Sequence, residues 1–249
     1  MQITLIAHIF NEEYLLPFWL EHHKKIFDHG IIINYQSTDK SMDIVKSICP
    51  TWEIIESRNN TFDAVGIDSE VMDIEKSISG YKIALNVTEF LMVTTDLRNL
   101  LNPIGEYNYP IFTVTALSEK NNYYPNSLSE LYNNFERINT NFRCPSSDIF
   151  RYLHSYETGK YHPGRHICDN PLSEKLPIII VWFGCYPWNN ELINRKLQID
   201  TRVPESNIFY IRWNKDKFES FKNNLLYSNS IPISENELLI NSIKFMSEL

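Results

Sequence analysis

Apolar residues along this chain recur in two rhythms. Short runs in which nearly every position is apolar alternate with segments whose apolar residues return every three or four positions, the spacing of one helix face. Residues 2–10 (QITLIAHIF) form the first run, and residues 12–27 carry Leu15, Phe18 or Trp19, His22 or His23, and Ile26 on one stripe. Pro17 falls in the early turns of that helix, where a missing N–H matters least, and Asp28-His29-Gly30 supplies the stop. The same alternation predicts a strand at 30–36, a helix at 37–48 opened by cap-type residues, a strand at 52–56, a helix at 63–79 and a fourth strand at 81–93. Strands alternating with helices in this way imply βαβ units: an α/β protein with a mostly parallel central sheet flanked by helices.

The later half is less regular. A fifth strand is expected at 109–117, antiparallel at an edge, then helices at 127–138 and 146–159, a buried strand at 178–184 and a helix at 191–199. Two amphipathic helices at 215–249 give the chain a helical C-terminal part. With no repeat and no long linker, residues 1–249 read as a single domain.

Composition narrows the function classes. The 249 residues are 43% hydrophobic and 13% aromatic, enough for a sizeable core, and the net charge of −8 speaks against a general nucleic-acid or anionic-membrane binder. Cys49, Cys144, Cys168 and Cys185 lie far apart with no CxxC pair, which favours free thiols and a reducing compartment. There is no run of 18 apolar residues and no secretory leader pattern, so no transmembrane segment and a cytoplasmic location are expected.

In an open parallel sheet, ligands bind beyond the carboxyl ends of the strands. Polar clusters fall at three such points: His8 to Glu13, Asn34 to Asp39, and Asn86 to Glu89, the last interrupting an otherwise apolar strand. Each alone also reads as ordinary structure, because Asn11-Glu12-Glu13 is a common helix start and Ser37-Thr38-Asp39 a common cap. His22 and His23 sit on a helix that covers the sheet and read as packed or surface residues. A later stretch, KYHPGRHICDN (160–170), presents His162, Arg165 and His166 around a Pro-Gly turn, a set suited to a diphosphate or to a solvated surface. Asp148 and Asp169 are the nearby carboxylates that would serve as general base. Trp188, beside Pro187, suits stacking on a sugar ring or stapling of a helix entry, whereas Trp182 reads as core.

Residues 5–46 resemble the opening of family 2-like glycosyltransferases with the GT-A fold, in which an N-E-E start, a W-L-x-x-H helix and an S-T-D turn follow at this spacing. The resemblance implies a Rossmann-like GT-A fold with a nucleotide-binding half at about 1–117 and an acceptor-side, helical half at about 118–249. It also implies transfer of a hexose, with inversion, from a nucleotide diphosphate sugar such as a UDP-sugar to a hydroxyl of a glycan or related acceptor. Asn11 and Glu12 would meet the nucleobase and ribose, Asp39 the base or ribose, and His8 the same donor region; Asp63 and Asp68 are candidates for added ribose contacts, though they match no motif. The family's D-x-D-E-F-L pattern, whose carboxylates hold a divalent metal on the donor diphosphate, appears here as Asn86, Val87, Thr88, Glu89, Phe90 and Leu91. Two aspartates are missing, and Mn2+ or Mg2+ prefers several oxygen ligands with carboxylate charge, so weak metal binding through Glu89 and His166 is expected. Glu89, counted with Asp148 and Asp169 among the catalytic candidates, is alternatively a partner of the donor sugar, an aligner of the acceptor, or only a salt-bridged group under a loop. Asn86, Thr88, Arg165 and His166 complete the expected donor contacts. A catalytically silent binder of sugar nucleotide or glycan is the alternative, and a nucleotidyltransferase is disfavoured by the lack of a glycine-rich basic loop after the first strand.

Overall fold

The structure, a computed structural model, describes residues 1–140, 150–207 and 211–249. Asp148 and Cys144 lie outside these residues. The first four strands form a parallel block: β1 (Ile3–Ile9), β2 (His29–Asn34), β3 (Glu53–Glu56) and β4 (Tyr81–Ala84) lie side by side in the order β4-β1-β2-β3. Helices α1 (Leu16–His23), α2 (Ser41–Ile48) and α3 (Ala64–Glu75) connect them. Side chains of α1 and α2 share a core with Leu5, Ala7 and Ile9, while Val71 of α3 packs with Ile6 and Ile33. Alternate residues of β1 therefore bury against opposite layers, as a strand covered on both faces requires. Gly30 is fixed by packing, since a Cβ there would sit 2.2 Å from the Trp52 ring.

The α/β class, the parallel central block and its flanking helices follow the sequence expectation, and the other half of the sheet runs antiparallel. Beyond β4 come β8 (Phe150–His154), β6 (Asn108–Leu117), β7 (Arg137–Asn139) and β10 (Ser230–Pro232). Strand β6 is thus interior, paired with β7 and β8 and running parallel to β9 (Ile178–Trp182), and not the expected edge. The helices α5 (Asn190–Gln198), α6 (Lys215–Tyr227) and α7 (Glu237–Glu248) form the C-terminal part as the periodicity predicts.

Three expectations need correction. The stretch 81–93 is two strands: after β4 the chain turns, with the Glu89 N–H bonded to the Asn86 carbonyl at 2.8 Å, and resumes as β5 (Glu89–Val93), which pairs with β9. The expected helix at 127–138 stops early, because α4 (Leu128–Asn133) ends and Arg137–Asn139 joins the β6 ladder. Within the expected helix at 146–159, residues 150–154 form β8 and 155–159 are irregular. Arg151 and His154 are buried there against Glu89 and Glu75.

Strand β5 pairs with β9 and is also contacted by side chains of α1. The Trp19 indole N–H donates to the Glu89 carbonyl at 2.9 Å, His22 Nε2 donates to the Leu91 carbonyl at 2.7 Å, and His23 Nε2 accepts the Leu91 N–H at 3.2 Å. His23 Nδ1 donates to the Trp19 carbonyl, so that ring is neutral with one defined tautomer. Burial depresses the basicity of both imidazoles, His22 to about 3 and His23 well below the ordinary value. The W-L-x-H-H spacing thus serves β5's backbone and fixes the start of the strand that carries Glu89.

Candidate functional site

A cleft of about 380 Å³ opens beyond the carboxyl ends of β1 and β2 and over the turn between β4 and β5. Two groups of side chains face it. The first is largely aromatic and apolar: Phe10, Tyr35, Phe62 and Ile67, with His8 beside Tyr35 at 5.1 Å between ring centroids. The second is charged: Glu89, Arg151, Arg165 and His166, with Arg195 and Lys196 contributed by α5.

The turn and the later loop are tied together by the charged group. Arg151 sets Nε 3.0 Å from both Glu89 carboxylate oxygens and Nη2 2.7 Å from one of them, and its Nη1 donates to the Gly164 carbonyl at 2.6 Å. The same nitrogen faces His166 Nδ1 at 3.2 Å. A guanidinium only donates, so His166 Nδ1 is the acceptor there. Glu89 also accepts the Asn86 N–H at 2.8 Å. Burial pushes the Glu89 carboxyl up, but the Arg151 charge and these hydrogen bonds outweigh it and hold the group below the ordinary carboxylate range. Asp68, from α3, pairs with Arg165 and accepts the Gly164 N–H at 2.6 Å, and Arg165 Nη2 donates to Asn86 Oδ1 at 3.2 Å. Arg165 itself has a left-handed backbone, φ 57°, within the turn that Pro163-Gly164 announced.

Of the residues expected at the site, His8, Glu12, Asn86, Thr88, Glu89, Arg165 and His166 line the cleft together. Glu12 is ion-paired with Arg195, and burial still holds its carboxyl above the ordinary range. Burial likewise lowers His8 to about 4 despite Glu70 at 3.5 Å. Asn11 and Asp39 do other work. Asn11 Oδ1 accepts the Thr38 N–H, and Asp39 accepts the Ser41 and Glu13 N–H groups at 2.9 and 3.0 Å, which staples the loops after β1 and β2 to each other. Asp169 lies outside the cleft lining, exposed and paired with His162 at 2.9 Å. Trp188 is buried against Phe218 at 5.0 Å and does not line the cleft, whereas the half-buried Trp182 does.

Arg151, Arg195 and Trp182 are the lining residues that sequence reasoning placed elsewhere or left without a role, while Asp68, a candidate ribose contact, lines the cleft paired with Arg165. The signal for Arg151 was the alternation in FRYLH, a period of two that its charged and polar letters disguised.

The resemblance implies a divalent ion at Glu89 and His166, and the donor set does not fit one. Both Glu89 oxygens already face a guanidinium, and His166 Nδ1 faces the same arginine. A cation placed there would meet a fixed positive charge. Among the described residues no group of three His, Cys, Asp or Glu side chains is arranged to hold a metal.

No family model matches the chain, and no curated protein matches it. Similar solved structures include glucosyl-3-phosphoglycerate synthase from Mycobacterium tuberculosis in complex with Mn2+, uridine diphosphate and glucosyl-3-phosphoglycerate, at 12% identity over 36% of this chain and 34% of that one, with a TM-score of 0.29. Residues 1–349 of TarS from S. aureus match at 14% identity over 53% and 40%, with a TM-score of 0.36. A 4-diphosphocytidyl-2C-methyl-D-erythritol synthase matches at 12% identity over 48% and 65%, with a TM-score of 0.32. The chain thus spans from about a third to just under two thirds of the length of these proteins.

Proposed function

We propose that this chain is a GT-A-like glycosyltransferase that takes a hexose from a nucleoside diphosphate sugar, such as a UDP-sugar, and passes it with inversion to a hydroxyl of a glycan or related acceptor. The observation that carries the reading is the pairing, in one cleft beyond parallel strand ends, of an aromatic group (Phe10, Tyr35, Phe62) with a cationic one (Arg151, Arg165). A nucleoside suits the first and a diphosphate the second. The N-E-E, W-L-x-x-H and S-T-D pattern of residues 5–46 supports it independently. Trp182, on the cleft wall, is better placed than Trp188 to stack on a sugar. Of the carboxylates considered for proton removal, Glu89 is committed to Arg151 and Asp169 to His162, which leaves Asp148. The reading takes residues 1–249 as one domain and the cytoplasm as its place; Cys49, Cys168 and Cys185 are free, and no helix among the described residues is long and apolar enough to cross a membrane.

One observation favours binding without transfer. Each carboxylate lining the cleft among the described residues is paired with an arginine: Glu12 with Arg195, Asp68 with Arg165, Glu89 with Arg151. Donor hydrolysis separates the two readings. A panel of nucleoside diphosphate hexoses is incubated with the purified chain, and release of nucleoside diphosphate is followed with and without glycan acceptors. Release that an acceptor accelerates supports transfer; a donor that raises Tm yet is never cleaved supports the silent binder.

A further inference from the structure

We infer that this cleft holds the diphosphate of its ligand with guanidinium charge where the family resemblance calls for a divalent cation, Arg151 being the central group. The inference takes from the proposed function only that the ligand carries a diphosphate.

Three features support it. The first is charge. The lining carboxylates Glu12, Asp68 and Glu89 are each paired, among the described residues, with an arginine: Arg195, Arg165 and Arg151. Such a cleft leaves a free dication no uncommitted carboxylate among the described residues, while its guanidinium groups still offer donors to an anion. The second is bracing. Arg151 is buried, and Glu89, Gly164 and His166 fix its guanidinium from three sides. A cation held in this way needs no reorganisation when negative charge arrives, which is what a leaving diphosphate requires. The third is unused donor capacity. Among the described residues, four of the five Arg151 N–H groups have partners, leaving one on Nη2, and the buried Arg165 Nε–H has none. Glu89 therefore positions an arginine and does not ligate a metal, which also accounts for Asn86 and Thr88: with no metal to hold, aspartates there would only set negative charge against the diphosphate.

Calorimetric titrations of the full chain with sodium pyrophosphate and with UDP, each in EDTA and again in MnCl2, test this. Both probes are expected to bind in EDTA with affinity that manganese does not improve, and MnCl2 alone should give no saturable heat. Arg151→Lys, which keeps the charge but loses the fork, should weaken both probes by about 10-fold or more, the worth of one charge-assisted hydrogen bond. Arg98→Lys, at an arginine outside the cleft that pairs with Asp28 and Asp96, should leave pyrophosphate affinity in EDTA unchanged, and a cooperative urea transition of Arg151→Lys close to that of wild type guards against a variant that merely misfolds. Binding that appears only with Mn2+, stoichiometric Mn2+ binding that Glu89→Gln abolishes, or no binding of either probe under any condition would overturn the inference. Pyrophosphate bound in EDTA with UDP excluded would uphold it while removing the nucleotide reading.

Discussion

His23 Nε2 accepts the backbone N–H of Leu91 at 3.2 Å, so a side chain of α1 supplies the hydrogen bond that a neighbouring strand would otherwise give. Truncating it leaves a buried N–H without a partner. His23→Ala should destabilise the protein by about 1–3 kcal/mol for the orphaned group, beyond the cost of the cavity, as read by urea unfolding.

The same histidines make the fold acid-sensitive. His22 and His23 are neutral in the folded chain, with basicity held below the ordinary 6.5 first of all by burial. The unfolded chain takes up protons that the folded one refuses, so their contribution is complete above about pH 6.5 and is lost progressively as pH falls towards about 3. Unfolding free energies measured between pH 7.5 and 5 should fall, and the slope should be shallower in a His23→Gln variant.

Arg151 and Glu89 should behave as a buried pair. Removing one partner strands the other, so Arg151→Met should cost about 3–5 kcal/mol at pH 7, and Arg151→Met with Glu89→Leu should regain most of it. Glu89 is held below the ordinary carboxylate value of 4.5 in the folded chain, so the pair's contribution is present above that value and fades as pH falls through the folded one. A double-mutant cycle by chemical denaturation measures the coupling.

Gly184 controls the position of an aromatic wall. A Cβ there would lie 1.8 Å from Cζ2 of Trp182, so Gly184→Ala must displace the indole from the cleft or strain the end of β9. The expected result is a shifted tryptophan emission together with weaker binding of whatever ligand stabilises the wild type, with the larger effect on ligands that carry a sugar.

How much of this was legible in the sequence follows from which physical signals were strong. Strands and helices up to Ser57 could be read because apolar runs and three-to-four-residue stripes alternate cleanly there. The polar letters Asn86, Thr88 and Glu89 mark a strand end, but the resumption as a second strand could not be read, because Leu85 and Val87 are as buried as any strand residue and their letters continue the apolar run through the turn. Strand β8 was disguised by Arg151 and His154, whose burial depends on Glu89 and Glu75, residues 62 and 79 positions away. Pairings at that separation leave no local periodicity. The loop residues show the reverse problem: Asn11 and Asp39 were correctly placed at strand ends, but short polar side chains that bind backbone N–H groups look the same in sequence as those that bind a ligand.

Tyr35 offers the sharpest test of the nucleoside side of the cleft. It follows β2, lines the cleft beside Phe10 and Phe62, and is 1% exposed, yet its hydroxyl has no hydrogen-bond partner among the described residues. A buried hydroxyl left unpaired costs stability, so removing it should leave the free protein unharmed or raise its Tm slightly. If the hydroxyl is kept for a ligand, the same change must weaken that ligand. Tyr35→Phe is therefore expected to unfold at the same or a higher temperature than wild type when alone, and to bind UDP or another nucleoside diphosphate less well by about 5- to 10-fold, near 1 kcal/mol, while pyrophosphate binding stays unchanged. Thermal unfolding with and without each probe gives all three readings. A variant with unchanged nucleotide affinity would assign the Tyr35 hydroxyl to packing alone and move the base to another wall of the cleft.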